Sequence, residues 1–173
     1  MNDFMTVETT NLIGSVNYSL QADVDVQNGA IVGKGDLLDG ETAIYSSLDD
    51  YSNGMYLVAN PAWDYDTSRA TNQNEENYVN KANVPFKVYK LEKDHVYTIG
   101  NVPVAFEKGD FLEFKNGAYA KVTSDTKLKI IDVYEVGFPF WVGSAGSPVS
   151  GDTENEYGNA IGQKTKKYVI EVQ

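Results

Sequence analysis

The sequence contains no cysteine and only one histidine, His95. Without cysteine the chain cannot form a disulfide, a thiolate nucleophile, a cysteine-ligated zinc site or an iron–sulfur cluster. A single histidine also removes most of the arrangements in which several imidazoles bind a metal or carry out acid–base catalysis. We therefore expect no metal and no cofactor, and the composition argues against an enzyme.

Basic residues are also scarce. Lysine and arginine together number 14 against 25 acidic residues, which gives a net charge of −11 and a pI near 4.4. Nucleic-acid-binding proteins usually carry a basic patch, and anionic membranes attract basic segments. This charge therefore predicts neither a nucleic-acid partner nor a membrane partner.

Long apolar runs are absent as well. No stretch approaches the roughly 18 to 20 apolar residues of a membrane-spanning helix. The first residues, MNDFMTVETTNLIGSVNYSLQ, have neither a basic region nor a continuous apolar core, so we do not interpret them as a signal peptide. We expect synthesis in a cytoplasm, from which the protein can leave as part of a particle.

The residues that are present favour a folded β protein. The chain has 173 residues, of which 42% are hydrophobic, enough for one domain with a substantial core. From Gln21 to Val26, apolar and polar residues alternate, which is typical of a half-buried strand. Asn28-Gly29 and Asn116-Gly117 each lie between apolar runs and predict hairpins, and Met55 to Ala59 predicts a strand buried on both faces. We predict an all-β fold, either a β-sandwich or a β-barrel-like domain with long loops.

The same pattern suggests how the chain is organised. Residues 1–19 have no clear period and are predicted to be an N-terminal arm, and residues 20–173 form the β domain. Two polar stretches, at about 64–83 and 137–163, are predicted to be exposed excursions, the first with a short helix near Asn74 to Val79. The repeated sequence Lys-Gly-Asp, at residues 34–36 and 108–110, predicts a turn at both places.

The acidic residues do not form a recognisable catalytic or metal-binding motif. Carboxylate pairs occur at Asp49-Asp50, Asp64/Asp66 and Glu75-Glu76, as expected by chance in so acidic a chain, and we interpret them as solvated surface. His95 follows Asp94, but neighbouring residues on a strand point to opposite faces, so the two would not form a catalytic pair. We name no catalytic residues.

One segment superficially resembles a calcium loop. In Asp23-Val24-Asp25-Val26-Gln27-Asn28-Gly29 the glycine is the seventh residue, and the twelfth is Lys34. An EF-hand loop requires glycine at position six and a bidentate glutamate at position twelve. The alternation of aspartate and valine fits a strand better.

Aromatic residues at loop-like positions are the best candidates for contacts. These are Trp63 and Tyr65 after Pro61, and Phe138, Phe140 and Trp141 around Pro139. Such side chains plug the end of a β-barrel, form a contact with another subunit, or stack on sugar rings. The sequence leaves all three roles open.

Several segments resemble small proteins encoded in the head modules of tailed bacteriophages. The resemblance rests on QADVDVQNGAIVGKGDLL (Gln21 to Leu38), MYLVANPAWDYD (Met55 to Asp66) and NKANVPFKVYKLEKDHVYTI (Asn80 to Ile99). The Lys-Gly-Asp turn at residues 108–110 and the terminal YVIEV also match the family pattern. The sequence departs from that pattern at Val84, where the family often has glycine, and in the long insertion 137–163.

The resemblance implies a virion structural protein, either a head decoration, a minor capsid protein or a head fibre. The expected partner is the major capsid protein, bound on the outer surface of the capsid by a homo-oligomer, with a trimer favoured. The arm at 1–19 would then become ordered against a neighbouring subunit. The alternative is a carbohydrate- or receptor-binding β module that stacks sugars on Trp63, Tyr65 or Trp141. A domain of a bacterial surface or tail protein, and a hydrolase, rank below these.

Overall fold

Most of the apolar runs of the sequence form strands in the computed structural model. The alternating run from Gln21 to Val26 does not: residues 22–25 belong to no strand, because the Ala22 carbonyl and the Asp25 carboxylate accept hydrogen bonds from the loop at residues 82–83. The structure describes residues 4–12, 14–38, 44–48, 50–61, 78–136 and 165–173, and every regular element within them is a β-strand. The all-β prediction is therefore confirmed. The strands are β1 (Thr6–Glu8), β2 (Asn17–Gln21), β3 (Val26–Gln27), β4 (Ile31–Leu37), β5 (Ile44–Ser47), β6 (Met55–Val58), β7 (Val79–Asn80), β8 (Phe86–Leu91), β9 (Val96–Gly100), β10 (Phe111–Lys115), β11 (Ala118–Val122), β12 (Leu128–Val136) and β13 (Thr165–Val172).

Five strands close into a barrel in the order β2-β5-β4-β6-β8. Successive side chains on a strand point to opposite faces, so β4 and β6, which are apolar on both faces, contribute to two apolar layers. One layer fills the barrel and contains the buried residues Leu20, Val32, Val58, Phe86 and Val88. This accounts for the nearly continuous apolar run of β6, which is buried on both of its faces as predicted.

The other layer of the barrel strands packs against a second sheet. Ile31 and Leu57 are neighbours across β4 and β6, and both are almost completely buried. Ile31 lies beside Leu112 and Phe114 of β10. The buried apolar residues of the barrel and of this sheet form a single hydrophobic cluster.

The second sheet has six strands in the order β1-β9-β13-β12-β10-β11, and it is strongly curled. Four strand spacings separate β9 from β11, or about 19 Å if the sheet were flat. The hydroxyl groups of Tyr97 on β9 and Tyr119 on β11 are nevertheless only 3.3 Å apart. The sheet therefore bends until its edge strands, β1 and β11, approach each other.

A four-residue turn, Gln27–Ala30, joins the barrel to this curled sheet. The Gln27 side chain accepts a hydrogen bond from the Met5 N–H at 3.1 Å and donates a longer one to the Gly117 carbonyl at 3.4 Å. Met5 precedes β1 and Gly117 precedes β11, so Gln27 bridges the two edges of the curled sheet. Tyr119 donates a hydrogen bond of 2.7 Å to the Gly29 carbonyl, and the Gly29 N–H donates one of 2.8 Å to the Val58 carbonyl in the barrel.

Buried asparagines hold the same turn from the barrel side. Asn28 is fully buried, and its side chain donates to the Asn60 carbonyl and accepts from the Asn60 N–H, at 2.8 and 3.0 Å. The Asn80 amide donates to both the Val26 carbonyl and the Asn28 side-chain oxygen. Buried polar groups require such partners, and these bonds satisfy both side-chain atoms of Asn28; the Asn80 side-chain oxygen is the buried atom of this network for which the described residues provide no donor.

The structure changes the predicted role of Asn28-Gly29. The turn exists, and Gly29 has the expected positive φ of 83°, but its flanking strands do not form a hairpin. β3 pairs with β7, whereas β4 pairs with β5 and β6. The hairpin prediction is wrong because the Asn28 side chain is used for tertiary bonds, which lead the chain from one sheet into another. The second prediction, at Asn116-Gly117, is confirmed: β10 and β11 pair along their whole length.

The two Lys-Gly-Asp segments are also not equivalent. Residues 108–110 make the predicted turn, but residues 34–36 lie within β4. There the register against β5 shifts between Lys34 and Leu37, so β4 has one more residue than its partner. Such a bulge increases local twist, which helps a small sheet to close into a barrel.

The N-terminal segment is less separate from the core than the sequence suggested. Thr6–Glu8 pair with β9, and Met5 and Val7 are buried. Asn17–Gln21 form β2 of the barrel. The arm prediction is therefore wrong for residues 5–8 and 17–19. A three-residue strand, and a strand with a single buried side chain, give too little periodic signal to detect in the sequence.

The end of the first excursion also differs from expectation. Val79 belongs to strand β7 instead of a helix, because β7 pairs with β3 and places the Asn80 amide beside Asn28. Residues 62–77 and 137–164 lie outside the described part of the chain.

We expect Tyr119→Phe to destabilise the protein by about 1 to 3 kcal/mol, because it leaves the buried Gly29 carbonyl without its donor. Tyr97→Phe is the matched control. Since Tyr119 donates its single hydroxyl proton to Gly29, Tyr97 donates to Tyr119, and the control loses only that 3.3 Å contact. Its cost should be about 1 kcal/mol or less. Urea denaturation measures the free energy of unfolding of both variants. Equal decreases would show that the bond to Gly29 contributes no more to stability than the contact between the two tyrosines.

Candidate functional site

None of the aromatic residues predicted to make contacts belongs to the described part of the chain. These residues are Trp63, Tyr65, Phe138, Phe140 and Trp141. Their roles as a barrel plug, a subunit contact or a sugar platform stay predictions.

The acidic and histidine candidates have local roles where the structure describes them. His95 lies in the turn between β8 and β9, where its Nδ1 accepts a hydrogen bond from the Glu92 N–H at 3.1 Å. The Asp50 carboxylate accepts from the Ser52 N–H at 2.9 Å, which lowers the pKa of Asp50. Within the described ranges, no group of three histidine, cysteine or acidic side chains is arranged to hold a metal ion.

A cleft opens where the barrel meets the tip of the β10–β11 hairpin. It has a volume of about 270 Å³, and we call it the Asp25 cleft. It lies beside the Gln27–Ala30 turn because the hairpin reaches across to that turn. Its lining includes Asp25, Gln27, Ile31, Leu48, Phe114 and Asn116.

The floor of the Asp25 cleft is apolar. Ile31 and Phe114 are almost completely buried, and Leu48 is partly buried. The Phe114 ring packs edge-to-face on Tyr119 with 4.9 Å between ring centroids, which holds the ring in place. A smaller pocket of about 140 Å³ lies on the other side of Ile31 and Phe114, lined also by Tyr51 and Met55.

The rim of the Asp25 cleft carries a carboxylate with a defined orientation. Asp25 Oδ1 accepts a hydrogen bond from the Ala82 N–H at 2.9 Å, and Asp25 Oδ2 pairs with Lys81 Nζ at 3.0 Å. The Ala82 N–H and, second, Lys81 lower the pKa of Asp25, so it is ionised at neutral pH. Two amide side chains, from Gln27 and Asn116, complete the polar rim.

Sequence reasoning missed this cleft. Asp25 appeared as the wet face of a strand, and Asn116 as a turn residue. Gln27 and Gly117 are 90 positions apart in the chain, so no spacing or motif connects them. The only available signals were the two Asn-Gly turns, which mark sharp reversals but do not show that they meet.

A second surface lies at the end of the β12–β13 ribbon. β13 pairs with β12 from Leu128 to Val136, but among the described strands β10 pairs with the other side of β12 only at its first two residues. Tyr134 and Val136 point to the same face and are 37% and 40% exposed. We call residues 131–136 the β12 edge. It combines exposed apolar side chains with a strand that extends beyond its neighbour.

A scan of protein-family models, curated proteins and solved structures found no match to this chain. Among the described residues, no helix is long and apolar enough to cross a membrane.

The bonds at Asp25 predict its pH behaviour. Because its folded pKa is lowered, the ionised carboxylate stabilises the fold above the unfolded pKa of about 3.9, and this contribution disappears as the pH falls through the lowered value. Nuclear magnetic resonance (NMR) titration of the Asp25 carboxyl carbon should therefore give a midpoint below 3.9. In Lys81→Gln the midpoint should rise but stay below that value, since the Ala82 N–H is the larger cause.

Lys93→Gln, which changes an exposed lysine in the β8–β9 turn, is the control and should leave the Asp25 midpoint unchanged. A midpoint at or above 3.9 in the unmodified protein would contradict the hydrogen-bond geometry.

Proposed function

We propose that this protein is a bacteriophage virion structural protein that decorates or stabilises the capsid. It would bind the outer surface of the major capsid protein shell. The observation that carries the proposal is the β12 edge, where Tyr134 and Val136 expose apolar surface on a strand that extends beyond its described neighbour. Tyrosine is common at the centres of protein interfaces, and exposed strand edges accept partner strands.

The charge of the chain supports the outer face of a shell. A net charge of −11 would be repelled by packaged DNA, whereas on the exterior it favours solubility of the particle surface. The resemblance of Gln21 to Leu38 and of Asn80 to Ile99 to head-module proteins points in the same direction.

Binding as a homo-oligomer, with a trimer favoured, would explain how a small contact from each subunit is enough for stable attachment to the capsid. A capsid presents the same surface many times, and a trimer can bind three shell subunits at once. Each additional contact is then intramolecular, so avidity exceeds the affinity of a single β12 edge. The proposed protein has no catalytic role.

Quantitative mass spectrometry of purified, DNA-filled particles tests the proposal. The expected result is a ratio near one copy per major capsid protein, or one trimer per three shell subunits. A few copies per particle would instead indicate a fibre or a tail component, and complete absence from particles would overturn the virion assignment.

We predict that Tyr134→Ser combined with Val136→Ser weakens binding to undecorated capsids at least tenfold, or about 1.4 kcal/mol, because tyrosine is enriched among the few interface residues whose truncation costs about 2 kcal/mol or more. The melting temperature should change little, since both side chains are exposed. Co-sedimentation of labelled protein with capsids gives the affinity.

Val104→Ser is the matched control, because Val104 is 47% exposed but lies in the loop between β9 and β10. If the control weakened binding as much as the double variant, the β12 edge would not be the docking surface.

A further inference from the structure

The Asp25 cleft has the features of a ligand site, and it is independent of the capsid proposal. We propose that it binds a single neutral sugar ring through the Asp25 carboxylate and the amides at its rim. The described lining of this cleft contains none of the residues Trp63, Tyr65 and Trp141, which the sequence suggested as sugar platforms.

The size of the cleft selects a small ligand. Pockets for drug-sized molecules usually measure about 300 to 1,000 Å³, and this one measures about 270 Å³. It therefore suits one ring with its substituents, bound as a free monosaccharide or as the terminal residue of a glycan. Both present the same chemistry, a hydroxylated ring with an apolar C–H face.

The carboxylate is a ready-made acceptor for hydroxyl groups. An ionised carboxylate offers about four lone-pair positions, and the Ala82 N–H and Lys81 use one on each oxygen of Asp25. The remaining positions can accept from two neighbouring hydroxyls, and such charge-assisted bonds are stronger than neutral ones. Because Asp25 is already held in place, little conformational entropy is lost on binding.

The other walls complement a sugar as well. The Gln27 oxygen is held by the Met5 N–H, but the Gln27 bond to the Gly117 carbonyl is long at 3.4 Å, so the Gln27 amide can also donate to a hydroxyl oxygen; Asn116 lines the cleft beside it. Below them the lining is apolar, and the partly buried Leu48 offers the C–H groups of a ring more surface than Ile31 and Phe114, which are almost completely buried.

Other ligand classes fit less well. An anion would face the Asp25 carboxylate and a chain with a net charge of −11. A wholly apolar ligand would fill the floor but remove water from the ionised Asp25 without replacing its hydrogen bonds. A neutral polyhydroxylated ring satisfies both the rim and the floor.

The experiment is NMR titration of the folded, isotope-labelled chain with glucose, galactose and N-acetylglucosamine, and with their methyl glycosides. We expect at least one sugar to cause saturable, millimolar shifts confined to the amides of Gln27, Asn116 and Gly117 and their neighbours. Binding of a methyl glycoside indicates the terminus of a glycan, and binding of free sugars alone indicates a monosaccharide; either supports the proposal.

Two comparison ligands test the chemistry. Glucuronate has the same ring with a negative charge, and cyclohexanol has a ring of similar size with one hydroxyl. Both should bind at least tenfold more weakly than the best neutral sugar. Equal binding of either, or no saturable shift with any sugar, would overturn the proposal.

Variants locate the interaction. Asp25→Asn should weaken sugar binding at least tenfold. Asp110→Asn is the matched control, because Asp110 also accepts from a backbone N–H, that of Glu107, and pairs with a lysine, Lys121, but lies outside the cleft. Sugar affinity should be unchanged in this control.

Lys81→Gln tests whether the Asp25 carboxylate binds the sugar itself or acts only by holding the loop at residues 81–82 in place. This variant keeps the Asp25 carboxylate and its Ala82 bond but loses the ion pair, so sugar affinity should stay within about threefold. A loss as large as that in Asp25→Asn would show that the loop, and not the carboxylate, is responsible. Capsid binding is measured separately with the β12 edge variants, so the two proposals can fail independently.

Discussion

The Gln27–Ala30 turn forms hydrogen bonds with backbone groups of the curled sheet and of the barrel, and these bonds fix how the two are arranged. The turn lies between the open edges of a curled sheet and the wall of a small barrel, where water cannot reach most of its polar atoms. Gln27 joins the two sheet edges, Tyr119 donates to the Gly29 carbonyl, and Asn28 is held by Asn60 and Asn80. An unsatisfied buried group would cost about 1 to 3 kcal/mol, so these bonds also select the arrangement of the sheets.

The Asp25 cleft follows from the same arrangement. A curled sheet brings the β10–β11 hairpin over the turn, but a hairpin tip and a barrel wall have different curvature and do not pack completely. The gap that remains has an apolar floor because the core continues beneath it. Its rim is polar because it is built from the residues that flank two turns. A site of this kind requires no motif, since each of its residues also has a structural role.

The two proposed surfaces differ in chemistry. The β12 edge offers exposed apolar side chains and a strand edge, which would suit a large protein partner, whereas the Asp25 cleft is small and offers fixed hydrogen-bond acceptors. A virion protein that holds a shell together and also contacts sugars at a cell surface would need both kinds of surface. The β12 edge is built by β12 and β13, and the cleft by β3, β4 and the β10–β11 hairpin, so either could change without the other.

The sequence by itself determined the class of fold and most of the strands, because period-two alternation and Asn-Gly turns are local signals that depend only on neighbouring residues. It identified β6 as buried on both faces and β10–β11 as a hairpin. Only the tertiary structure decided that Asn28-Gly29 joins two sheets, that Thr6–Glu8 form an edge strand, and that residues 34–36 contain a bulge instead of a turn. The Asp25 cleft could not be predicted from the sequence either, because its lining combines Gln27 and Gly117, which are 90 positions apart. Side-chain hydrogen bonds between distant segments leave no periodic trace in a sequence, and in this protein they determine both the topology and the candidate site.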